Sequence, residues 1–151
     1  NKKKKIKNIE YIFVDDGSTD NSAQIVKKFF KKKKSLKYKF ISIKKNLGKG
    51  SALKKGVSLA KNEWILTLDT DISVSLLQLN DWIKKKYIKK NIFIYFGSRN
   101  LKNSKIEFKI YRKILGIIFS FILKVFFQLD IKDTQCGFKL YKNKTAIRRL
   151  L

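Results

Sequence analysis

Two apolar runs in this chain stop in the same way. "IEYIFVDDG", residues 9 to 17, and "EWILTLDTD", residues 63 to 71, both run out into carboxylates. A continuous apolar run of about four to eight residues closed by turn formers reads as a strand buried on both faces. Segments of helical period alternate with such runs. Ser18, Thr19 and Asp20 are N-cap types, and Ile25, Val26, Phe29 and Phe30 share one expected helical face. "KYKFISI" at 37 to 43 alternates as a strand, and turns at Gly48 and Gly50 precede Leu53, Val57 and Ala60 in helical register. A helix is predicted from about Ser75 to Lys89, then a strand in "NIFIYFGSR" and a long apolar helix from about Glu107 to Gln128. "DTQCGFKLYKNKTAIRRLL" reads as a turn, a short strand and the start of a helix. The helical crossovers are long enough for parallel pairing, so the class is α/β with a mainly parallel sheet flanked by helices. Without repeats or a linker, 151 residues make one domain, long enough to bury a core of its own.

That class gives the acids a meaning. Lys and Arg number 37 against 11 Asp and Glu, yet five of those eleven, Asp15, Asp16, Asp20, Asp69 and Asp71, follow two predicted strands. Open parallel sheets bind ligands beyond the carboxyl ends of their strands, so the two clusters are expected to border one crevice. Like charges brought together cost free energy unless a cation or hydrogen-bond donors offset them. Asp-Gly and Ser-Thr-Asp are also ordinary turn and cap chemistry, so the first cluster alone decides nothing. Asp69-Thr70-Asp71 adds weight, because residues i and i+2 of an extended chain point the same way and can face one divalent ion. Mg²⁺ is usually held by one or two carboxylates plus substrate phosphates.

Gly48-Lys49-Gly50-Ser51 invites comparison with other phosphate binders. The P-loop pattern fails, since Ile43 stands where its first Gly belongs and Gly50 where Ser or Thr should follow Lys. The dinucleotide pattern fails at Leu53. The loop could still bring backbone N–H groups, Lys49 and a helix N-terminus near a nucleotide, or simply turn the chain into a helix.

A net charge of +26 suggests an anionic partner, but the excess is nearly all Lys, with Arg99, Arg112, Arg148 and Arg149 the four arginines. Most of it reads as solvated surface. Cys136 stands alone, so no internal disulfide forms, which suits a reducing compartment. Residue 1 is not Met, and the chain reads as an internal fragment or processed product. "ILGIIFSFILKVFFQL" at 114 to 129 falls short of the ~20 residues that span a bilayer, and Lys124 interrupts it.

"VDDGSTDNS", "NLGKGSALKKGVSLAKNEWILTLDTD", "FGSRN" and "DTQCGFKLY" occur in the order seen in family 2 glycosyltransferases of the GT-A fold, and from about Glu10 to Tyr141 the chain resembles that family. It is most similar to the polyprenyl-phosphate branch, meaning dolichyl-phosphate glucosyltransferases and dolichyl-phosphate mannose synthase relatives, with "DTQCGFK" closest to the glucosyl form. The resemblance implies a Rossmann-like sheet. It implies that Asp15 and Asp16 contact base and ribose of a sugar nucleotide, of UDP-glucose or GDP-mannose type. Gly48, Lys49 and Gly50 would line the same pocket, and Asp69 and Asp71 would hold Mg²⁺ or Mn²⁺ on the diphosphate, Asp71 acting in catalysis. Arg99 and Arg112 would face a lipid phosphate acceptor, with Asp133 as base or acceptor-side residue. The family's opening strand, ending near "P-x-Y-N-E", and its later acceptor region are not found, so an incomplete catalytic domain is expected over 1–151, possessing part of the pocket.

The implied reaction is inverting transfer of a hexose to a polyprenyl phosphate at the cytoplasmic face of a membrane. A phosphate acceptor is already ionised near neutrality, so Asp133 would orient groups more than take a proton; a hydroxyl acceptor would need a base. The 107 to 129 segment, with Lys105, Lys109, Arg112, Lys113 and Lys124, then suits a helix at the lipid interface; otherwise it is a core helix. Two alternatives stand beside this reading: the same fold with a glycan or other hydroxyl acceptor, and a basic nucleic-acid module. Against the latter, the sequence has no Arg-rich stripe, zinc pattern or RNA-binding motif, and nucleic acid is not an expected partner.

Overall fold

A computed structural model describes residues 6, 8–72, 74–97, 118, 121, 125 and 136–150, without the side chains of 146, 147 and 150. Its contacts divide the chain into two compact units, residues 1–65 with 142–151 and residues 66–141.

The first unit opens with a βαβ crossover. β1 (Glu10–Asp15) and β2 (Lys37–Ser42) pair in parallel from Glu10↔Lys37 to Asp15↔Ser42, joined by α1 (Ser22–Lys32). Phe30 is buried because aromatic rings surround it: Tyr38 stacks on it at 4.4 Å, with Phe13 at 5.0 Å and Tyr11 at 6.2 Å. Such ring pairs contribute about 0.5 to 1.5 kcal/mol each beyond burial. The expected face of α1 needs correction. Phe30 is buried and Val26 half-buried, but Ile25 is 66% and Phe29 51% exposed. A step of about 100° per residue puts 25 and 29 on a neighbouring stripe, off the sheet-facing line of Ala23, Val26 and Phe30.

α2 (Lys49–Leu59) buries Val57 and lays Gly56 close to Val14 of β1, where an added Cβ would touch Val14 Cγ2 at 3.4 Å. Gly50, expected in a turn, belongs to the first turn of this helix. Its carboxyl end is well supplied with donors. Lys39 Nζ donates to the Leu59 carbonyl at 3.0 Å, and Asn143 and the Arg148 guanidinium both donate to Ala60 O. Cations at a helix C-terminus also meet the negative end of its dipole. Glu10 Oε1 accepts from the Lys61 and Asn62 amides at 2.6 and 2.9 Å and fixes the turn into β3 (Trp64–Thr67).

The second unit holds α3 (Leu77–Lys84), β4 (Ile94–Phe96) and most of β5 (Lys139–Lys142). The strand order is β3-β5-β4, and β4 and β5 are antiparallel with Tyr95 opposite Leu140, a local departure from the parallel pairing of β1 and β2. β5 is central, with strands on both edges, and its faces are both covered, since successive Leu140 and Tyr141 are both buried, with Phe138 and Cys136 just before them. Trp82 of α3 meets Phe138 edge-on at 5.3 Å. The short strand and following helix expected in the tail are β5 and α4 (Thr145–Leu150). β3, α3 and β4 are all shorter than the apolar pattern predicts. Ile118, Phe121 and Val125, all exposed, are helical, and the rest of the long apolar helix lies outside the described residues. Among the described residues no helix is long and apolar enough to cross a membrane.

Candidate functional site

In the first unit the acids terminate β1. Asp15 Oδ1 accepts the Ser18 amide at 3.0 Å, closing the turn that "DDGS" predicts, and Oδ2 accepts Ser42 Oγ at 2.8 Å from the end of β2. Hydrogen bonds from Ser18 foremost, then from Ser42, hold the Asp15 carboxyl below its ordinary 3.8, so it is an anion with acceptor capacity only. Asp16 Oδ1 reaches further and accepts the Leu47 amide at 3.0 Å. Asp20 accepts the Ser22 amide at 2.9 Å and is likewise shifted down by Ser22; the helix starts there, later than Ser18 or Thr19 would start it.

These bonds tie the β1–α1 loop to the β2–α2 loop, and Gly17 makes the closeness possible. Its φ is +76°, and a Cβ there would stand 2.9 Å from the Asn46 amide nitrogen and 3.1 Å from the Lys45 carbonyl carbon. Only a residue without a side chain fits. The other loop ends at Gly48, φ +88°, whose amide donates to Asn46 Oδ1 at 3.0 Å, and Lys49 then begins α2. A Cβ on Gly48 or Gly50 would meet nothing within 4 Å, so this backbone faces open space. The structure thus brings together Asp15, Asp16, Gly48, Lys49 and Gly50. It adds Ser42 and Gly17, which the sequence reading passed over as a strand residue and an ordinary turn glycine. A depression of about 300 Å³ among Ile9, Tyr11, Leu36 and Lys37 opens at the other ends of β1 and β2, away from these acids.

In the second unit the geometry of Asp69 and Asp71 differs from the expectation. β3 stops at Thr67, and the Ile72 amide donates to Asp69 O at 3.0 Å, closing a turn through Thr70 and Asp71. Ile72 has φ +47°. The two carboxylates therefore sit on a turn, not at i and i+2 of an extended strand, and the same-face argument does not hold. Asp71 is exposed and Asp69 half-buried. Asp69 lies against Gly137: a Cβ built there would overlap its Cγ and both oxygens, well inside the 3.0 Å that real Cβ contacts essentially never cross. Gly97 also approaches this segment closely, its would-be Cβ 2.9 Å from Phe138 O and 3.2 Å from Cys136 Sγ. Asp69 and Gly97 thus each lie close against the Cys136–Phe138 segment, through two glycines. Sequence reasoning missed both, although a glycine flanked by Cys and Phe beside a strand is a signal of close approach.

Two carboxylates on one turn are hard oxygen donors of the kind Mg²⁺ and Mn²⁺ take, so the chemistry of the donors fits such an ion completed by substrate phosphates. No cluster of three or more Asp, Glu, Cys or His able to hold a metal occurs among the described residues. Arg99, Arg112 and Asp133 lie outside the described residues.

The family model described as glycosyl transferase family 2 matches residues 1–149. Among curated relatives, the chain is 35% identical over 144 residues to a dolichyl-phosphate beta-glucosyltransferase of Dictyostelium discoideum, covering 92% of this chain and 44% of that protein. It is 33% identical over 151 residues to the Homo sapiens protein of the same name, covering 92% and 45%. With the Saccharomyces cerevisiae protein of that name the figures are 34% over 158 residues, 93% and 46%. The chain thus spans under half the length of these relatives.

Proposed function

The chain belongs to glycosyl transferase family 2, with its GT-A fold, and from that premise we propose that it takes part in transferring a hexose, glucose by its likeness to the named relatives, from a nucleotide sugar to a polyprenyl phosphate. The observation that carries this reading is the tying of Asp15 and Asp16 to the loop that leads into Gly48 and Lys49. Asp15, kept ionised, and Asp16 accept hydrogen bonds from the nucleoside, while Lys49 and the open backbone at Gly48 and Gly50 lie along the nucleotide. Asp69 and Asp71 hold the divalent cation. When bound, Mg²⁺ or Mn²⁺ supplies Lewis-acid stabilisation of the charge that builds on the departing diphosphate. Arg99 and Arg112 serve the anionic acceptor, where positive charge favours the charged transition state. Asp133 orients the acceptor, or takes its proton if the acceptor is a hydroxyl. The exposed, helical Ile118, Phe121 and Val125, spaced three and four apart, give one face that rests at the lipid surface. In this reading the work is done at the cytoplasmic face of a membrane, with inversion at the sugar carbon.

The test uses one labelled donor with polyprenyl phosphate and with sugar acceptors in parallel. In the full-length protein Asp69→Asn with Asp71→Asn abolishes metal-dependent transfer, a loss of at least about a hundredfold, on the scale of losing a principal electrostatic stabiliser. Unchanged turnover would remove the reading. Transfer to sugar hydroxyls alone would replace the lipid acceptor.

A further inference from the structure

Gly137 is not a glycine for the usual reason. Among the described glycines, only Gly17 and Gly48 have positive φ. The backbone at 137 is one that any residue adopts, so what the position requires is space. That space is taken by the Asp69 carboxylate, which lies where a side chain of residue 137 would begin.

The segment cannot retreat to make room. Cys136 is 0% and Phe138 2% exposed on either side of it. Thr67 Oγ1 donates to Gly137 O at 3.0 Å, and the Gly97 amide donates to Phe138 O at 2.8 Å. Gly97 also packs closely on this segment, with Phe138 O 2.9 Å from where its own Cβ would stand. A methyl group at 137 therefore displaces whichever group moves at least cost. The carboxylate does, because it turns on one torsion with staggered alternatives.

We propose that Gly137 is a positioning residue for Asp69: by lacking a side chain it provides the berth that fixes the carboxylate for the divalent cation. The cation's part in this rests on the transferase reading above; the berth itself does not. The glycine touches neither cation nor donor and acts through Asp69 alone.

Gly137→Ala in the full chain tests this by electron paramagnetic resonance of Mn²⁺ titrated in the presence of UDP, together with thermal melting. Mn²⁺ binding weakens at least about tenfold in the Gly137→Ala chain, a shift that a 1.4 kcal/mol loss produces. In an Asp69→Asn background the same substitution weakens it no further, since Gly137 has no other route to the ion. Unchanged Mn²⁺ affinity, or an equal loss in the Asp69→Asn background, overturns the proposal. Melting gives a readout without metal. If Gly137→Ala lowers the melting temperature or prevents folding, Asp69→Ala/Gly137→Ala melts as Asp69→Ala does, because the smaller residue vacates the berth. Absence of that rescue overturns the berth. If the wild-type chain binds no Mn²⁺ with UDP, the transferase reading and the cation's role fall together, and the melting comparison still decides the berth.

Discussion

Asp15 shows how a turn residue and a functional anion can be one group. Its two oxygens accept from Ser18 and Ser42, and those bonds, with Ser18 the larger cause, hold its carboxyl below 3.8. A carboxyl whose folded pKa is depressed contributes stability that is fully present above the unfolded value. That stability is lost as the pH falls through the folded value, so the window lies below 3.8. Ser42→Ala removes one of the two donors. The Asp15 pKa then rises toward 3.8 without reaching it, since Ser18 remains, and the acid side of the stability profile moves up in pH. A carboxyl-carbon NMR titration of the two chains reads the shift directly; identical titration curves would mean that the Ser42 bond does not form in solution. The sequence makes Asp15 visible as a candidate but not Ser42, because pairing across β1 and β2 is a register, set by the whole ladder and by no local pattern.

At the scale of elements, much of the architecture was legible. Apolar runs marked β1 and β3, alternation marked β2, and helical spacing marked α1 and α2, because each buries a side whose period the backbone dictates. Lengths and faces were less legible. β3 ends at Thr67 although apolar Leu68 follows, since a turn bonded from Ile72 to Asp69 takes the chain away. The outward Ile25 and Phe29 show that an apolar stripe wider than its partner surface leaves residues uncovered. The glycine contacts were hidden for a different cause: they are distances between segments far apart in the chain. Gly17 is the case with an energetic consequence. Gly17→Ala combines a positive φ, worth about 1 to 2 kcal/mol against a side chain, with a clash against backbone that cannot swing aside. Urea denaturation is expected to show a loss of about 2 kcal/mol or more, with Asp16 released from the Leu47 amide. A loss of under about 0.5 kcal/mol would show that the two loops are not held in this closeness.

Over the whole molecule, charge and fold answer different questions. The +26 balance describes what the surface attracts, and it left the fold class untouched. The motifs were legible as an ordered set, and the family match over residues 1–149 agrees with them. One buried atom has a use here that no motif suggested. Cys136 carries the sole sulfur of the chain, and it is wholly enclosed in the second unit, close to Gly97 in the segment leading into β5. An alkylating reagent reaches that thiol only when the enclosure opens, so labelling should run at least about a hundredfold slower in native buffer than in denaturant. Equal rates would contradict the enclosure. The slow rate itself would then serve as a native timer for breathing of the second unit, readable by mass spectrometry without inserting any probe.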